Sequence, residues 1–230
     1  MRKTPLRTLA VTLAAVSGAW LLAPSAFALN TKPMNVSDLV RESTQIVVGT
    51  VSAVHQGMSA NHLPYTEVEV SVSEAILGTR VATLTFRQFG LQTPLPASGG
   101  RRYVGLVAGM PQYKVGDAVV LFLGRTSSIG YRTTIGLGQG KFALRGGNLL
   151  NEVNNAGLFK DIDLGGRTLD DKERHLVTTT QGAVGKETFL AFVRRAVNEN
   201  WWSDPIRRPR PTPQPGSVLP KRASSAGGVQ

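Results

Sequence analysis

Between Thr44 and Arg87 the chain alternates apolar and polar residues with a period of two, which is the signature of strands with one packed face. Thr66, Val68, Val70 and Val72 share one phase. Tyr65, Glu67, Glu69, Ser71 and Ser73 share the other. Glu74 then falls into the valine phase, and Ala75, Ile76 and Leu77 are all apolar. That break predicts a bulge near Ser73–Glu74, which would let the strand bend around a core. Gly78-Thr79-Arg80 predicts a turn into a partner strand, where Ala82, Leu84 and Phe86 alternate with Thr83, Thr85 and Arg87. The preceding strand, Ile46 to Val54, starts apolar on both faces, as a strand covered on both sides would. His55 to Pro64 is polar and reads as the loop between the first two strands.

Downstream, Ala118-Val119-Val120-Leu121-Phe122-Leu123 is a continuous apolar run and predicts a buried central strand. Tyr131 to Leu137 and Lys141 to Arg145 predict two further short strands around a glycine kink, Gly138-Gln139-Gly140. Phe89 to Gly116 is long and rich in Gly and Pro, a length that in a compact domain marks a functional or disordered connection. Residues 151–182 are polar and without clear period. Two helices are expected. A short one carries Leu39 and Val40 and is capped by Asn35 or Ser37. An amphipathic one lies within 184–202, with Phe189, Leu190, Phe192, Val193, Ala196 and Val197 on one face.

Composition changes this picture at the two ends. Arg2, Lys3 and Arg7 precede an apolar run from Leu9 to Ala23 and an Ala26-Phe27-Ala28 cleavage pattern, so residues 1–28 read as a secretory signal peptide. The run is too short for a comfortable membrane span. The expected product begins at Leu29, is exported to the periplasm or secreted, and has no transmembrane segment once the signal is removed. The domain then spans 29–202, and 203–230 is a Pro/Arg-rich tail whose composition predicts disorder. Of the net charge of +11, three charges lie in the signal peptide, four in the tail and four in Leu29–Trp202. The folded part is therefore only mildly basic, and the high pI is no argument for nucleic-acid binding. With no cysteine, disulfide stapling and Cys-based metal sites are excluded, and the domain must rest on its own hydrophobic core.

No constellation with catalytic spacing is found. His55 and His62 lack a third ligand at recognisable spacing, so no metal site is assigned. Asp161 and Asp163 lack the later ligands of a calcium loop. Gly136-Leu137-Gly138-Gln139-Gly140 is followed by a strand, not by the helix N-terminus a phosphate cradle needs. Glu67 and Glu69 share one exposed strand face without any sign of a cleft. No nucleophile elbow occurs, and no cofactor is implied. The candidate binding residues are Arg101, Arg102 and Tyr103 in the long loop, and Arg207, Arg208 and Arg210 in the tail.

Three signposts, Val48-Gly49-Thr50-Val51, Ala75-Ile76-Leu77-Gly78 and Val115-Gly116-Asp117 through Phe122, give the order of strands a familiar look. Over residues 38 to 145 the chain resembles the netrin-like, OB-fold domain of the tissue inhibitors of metalloproteinases, and also a group of uncharacterised exported bacterial proteins. The resemblance implies a mainly β, OB-like barrel of five or six strands, with a short N-terminal helix and a C-terminal amphipathic helix. Those inhibitors chelate the protease zinc through an N-terminal cysteine held by disulfides. This chain has no cysteine, so that mechanism does not carry over. The expectation is a non-enzymatic binding or accessory module for another envelope or secreted protein, with a protease among the candidates. The alternatives are an envelope-associated binder of polyanions or polysaccharide, since OB barrels also bind such ligands on one face, and an enzyme whose motif is not recognised.

Overall fold

The computed structural model describes residues 32–96, 102–103, 105 and 107–202. The expected signal peptide, its cleavage point and the tail from Ser203 lie outside the described residues. The first helix, α1 (Val36–Glu42), begins where Asn35 caps it by accepting from the Asp38 N–H. Three long strands follow: β1 (Gln45–Met58), β2 (Pro64–Leu77) and β3 (Thr83–Phe89). A two-residue pair, β4 (Leu95–Pro96) and β5 (Arg102–Tyr103), stands apart from the main sheet. Then come β6 (Ala118–Leu123), a 3-10 turn at Leu137–Gly140, β7 (Lys141–Arg145), β8 (Asn148–Asn151), α2 (Asp171–Val177), β9 (Val184–Gly185) and α3 (Lys186–Asn198).

The protein is mainly β, and its main sheet is antiparallel, ordered β3-β2-β1-β6-β7-β8-β9. That order has two ends, so the hydrogen-bonded ladder is not closed into the barrel of five or six strands that the sequence led us to expect. The reason lies beyond β6. The segment expected as a strand over Tyr131–Leu137 makes only two single bridges, Arg87 with Tyr131 and Leu123 with Thr134. The main ladder instead runs outward through β7, β8 and β9.

The bulge falls where the alternation breaks. Val48 pairs with Glu74 and Gly49 with Val72, which leaves Ser73 unpaired in β2. The Ser73 hydroxyl donates to the Val48 carbonyl at 3.1 Å and fixes it. A Cβ on Gly49 would lie 2.4 Å from the Ser71 carbonyl oxygen, so the backbones at the bulge approach too closely for any side chain there. The bulge turns Glu74 toward α3, where Arg194 grips it with both Nε (2.6 Å) and Nη2 (2.8 Å). The hydrogen bonds from Arg194 hold the Glu74 carboxyl below its ordinary value of 4.5, against the opposing effect of burial. A carboxyl so lowered contributes stability above its ordinary pKa and loses it as pH falls through the folded value. Both side chains are partly exposed, so the pair is worth no more than about 1 kcal/mol. Glu74→Gln is expected to lower the unfolding midpoint slightly at pH 7 and to flatten the loss of stability below pH 4.5, measured by urea titration across pH.

β1 and β6 are the hinge of the packing, and period two splits their side chains between two cores. Ile46, Val48, Val120 and Phe122 face the first core, with Phe142, Leu149, α1, α3 and the Trp201-Trp202 pair. Val47, Val51, Val119, Leu121 and Leu123 face the second, with Val68, Val70, Phe86 and Tyr113. Two strands expected to be covered on both sides are thus covered on both sides. The first core is heavily aromatic: the Phe189 ring lies 5.1 Å from Phe142 and 6.4 Å from both Phe122 and Phe159.

Two boundaries differ from expectation. β1 continues to Met58, so His55 lies on the strand and not in the loop, because Gln56 and Gly57 keep pairing with Thr66 and Tyr65. The region 151–182 contains α2, which period alone did not reveal. Its signal was local: Asp170 and Glu173 form a reciprocal capping box, and Asp-x-x-Glu is readable in the chain. Glu173 then receives Arg195 of α3 at 2.6 Å and ties the two helices together.

Candidate functional site

The outer face of β1–β3 carries the residues that the alternation leaves outside the second core. Register places them in rows across the three strands: Gly57, Tyr65 and Phe89; His55, Glu67 and Arg87; Ala53, Glu69 and Thr85. His55, Thr85, Arg87 and Phe89 are exposed. A Cβ on Gly57 would lie 2.8 Å from the Tyr65 hydroxyl, so the ring lies across the glycine. The Arg87 guanidinium sits 4.6 Å from the centre of that ring and its Nε donates to Glu67 at 2.6 Å. That hydrogen bond raises the Arg87 pKa above its ordinary value, so the guanidinium stays charged. Phe89 is 41% exposed and meets Tyr131 edge-on at 6.0 Å. The Tyr131 hydroxyl donates to the Leu63 carbonyl at 3.3 Å. Glu69 accepts from Ser52 at 2.9 Å, and among the described residues no cation pairs with it.

The long connection after Phe89 leaves from this same end, and glutamines hold much of it. The Gln56 side-chain carbonyl accepts from the backbone of Gln92 and Thr93, and its amide donates to the Thr93 hydroxyl at 2.8 Å. Gln92 takes the Tyr113 N–H and returns an N–H to the Tyr113 carbonyl at 3.0 Å, which imitates one rung of a β-ladder. Gln88 donates to the Pro111 carbonyl at 2.9 Å. Tyr113 fills the second core edge-on to Phe86 at 5.8 Å, and burial pushes its hydroxyl pKa up. The Lys141 ammonium, itself buried, lies 4.9 Å from the Tyr113 ring, donates to the Gln112 carbonyl and stands 3.6 Å from Glu152. The outcome differs from a free loop: the two limbs are fixed, and the β4–β5 pair is carried between them, with Leu95 opposite Tyr103 and Pro96 opposite Arg102.

Of the residues singled out in the sequence, Arg102 and Tyr103 lie in β5. Arg101, Arg207, Arg208 and Arg210 lie outside the described residues. Glu67 and Glu69 share the outer face as their spacing implied. Among the described residues no group of three His, Cys, Asp or Glu side chains is placed to hold a metal ion. No described helix is long and apolar enough to cross a membrane. Sequence reasoning missed Phe89 and Tyr131. Phe89 could have been found by counting two residues on from Arg87. Tyr131 had no local signal, because its place depends on a contact with a strand some forty residues earlier.

What this end offers chemically is three aromatic rings, a guanidinium and two carboxylates on one sheet face, at the end from which the long connection leaves. These groups can anchor a macromolecule by packing and polar contact. Comparison of the chain with protein-family models, curated proteins and solved structures returns no match.

Proposed function

We propose that the chain is an exported, non-enzymatic binding or accessory module that engages another protein of the envelope or the secreted fraction. The observation that carries this reading is the exposed Phe89 ring, edge-on to half-buried Tyr131 and paired in register with half-buried Tyr65, at the end from which the long connection leaves. Aromatic and arginine side chains are the types that most often anchor protein interfaces, and a pre-fixed loop loses little freedom on binding. The OB-like, netrin-like reading of the fold belongs to the same proposal. In its favour, two single bridges join the 131–134 segment to β3 and to β6, around a core shared by β1, β2, β3 and β6. A protease is one candidate partner.

The test is capture by the wild-type protein against a variant with Arg101, Arg102 and Tyr103 all changed to alanine. Partner recovery is expected to fall at least tenfold while the unfolding midpoint stays the same. The polyanion alternative predicts recovery that survives these changes, follows Arg207, Arg208 and Arg210, and vanishes by moderate salt. That result would overturn the reading.

A further inference from the structure

The outer face of β1–β3 and the composition of the tail fit one another. The face offers the exposed ring of Phe89 beside half-buried Tyr65 and Tyr131, and, four residues along β2 from Tyr65, the Glu69 carboxylate, which accepts from Ser52 and has no cation partner among the described residues. Two carboxylates stand on it against the single guanidinium of Arg87, which already belongs to Glu67. The tail, Ser203–Gln230, supplies the opposite charge: Arg207, Arg208 and Arg210 stand among Pro205, Pro209, Pro211, Pro213 and Pro215. Proline-rich chains favour the extended polyproline helix, which docks on aromatic surfaces with little loss of freedom.

We propose that the Pro205–Pro215 segment docks along this face of its own domain, with its later prolines on Tyr65, Phe89 and Tyr131 and one of its arginines on Glu69. The spacing agrees. Four residues of strand span about 13 Å, and a polyproline helix advances about 3.1 Å per residue, so Arg210 and Pro213–Pro215 bracket the distance from Glu69 to Tyr65. The described chain ends at Trp202, eight residues before Arg210, a tether of about 25 Å when extended. The docked tail would cover the surface proposed for the partner, so a partner that binds there displaces it; the docking is read in the isolated chain and the capture in cells, which keeps the failure of one distinguishable from the failure of the other.

Because the chain has no cysteine, a single introduced one reports position cleanly. In the intact chain, Thr212→Cys would carry a nitroxide, and backbone amide intensities would be read by NMR. Residues 65–69 and 85–89 are expected to lose more than half their intensity, to the same extent on threefold dilution. They are expected to regain it when Arg207, Arg208 and Arg210 become Glu, and also in Phe89→Ala, whose exposed ring can be removed without opening a core. A flat profile, broadening centred on another surface such as α2, or broadening unchanged by the charge reversal would overturn the proposal.

Discussion

Val70→Asp is expected to unfold the domain or nearly so. Val70 is 0% exposed and opposes Val51 on one side and Leu84 on the other, inside the second core. A carboxylate there finds no cation, and an unpaired buried charge costs several kcal/mol. Domains of this kind have about 5–15 kcal/mol of stability in all. One residue earlier the same strand should tolerate the opposite insult. Glu69 points to the outer face, where it accepts a hydrogen bond from exposed Ser52. Glu69→Lys should therefore shift stability by no more than about 0.5 kcal/mol. Denaturant midpoints of the two variants measure the contrast. Similar midpoints would mean that β2 does not present these faces.

The second large effect belongs to the other core. Phe189 is fully buried where α3 meets the sheet, in ring contact with Phe142, Phe122 and Phe159. Phe189→Ala removes the ring and leaves a cavity that rigid neighbours fill poorly, a change that costs about 3–5 kcal/mol. Phe189→Leu keeps most of the volume and should cost less than about 1.5 kcal/mol. Urea unfolding followed by near-ultraviolet circular dichroism reads both. A loss below about 1 kcal/mol for the alanine variant would mean that α3 does not hold the first core together.

How much of this was legible follows from the range of each interaction. The bulge at Ser73, the turn at Gly78 and the double coverage of β1 and β6 were readable, because alternation along a strand is a local record of which face is packed. The capping box of α2 was equally local and was there to be read. The open order of the sheet was not, because nothing within Tyr131–Leu137 says whether it joins β3 as a ladder or touches it by one bridge. The candidate surface divides in the same way. Alternation put Tyr65, Glu67 and Glu69 outside, and composition pointed to the long connection. The pins from Gln56, Gln88 and Gln92 were invisible, since a glutamine amide carries no sequence pattern that names its distant backbone partner.

The most direct test of the binding claim is photo-crosslinking in the cells that make the protein. A benzophenone side chain placed at Phe89, at the edge of the proposed surface, is compared with one at Lys172, exposed on α2 away from it. The account predicts a discrete adduct with one other protein from position 89 and none from position 172. An adduct from position 172 alone, or none from position 89 while intact protein accumulates, would contradict it.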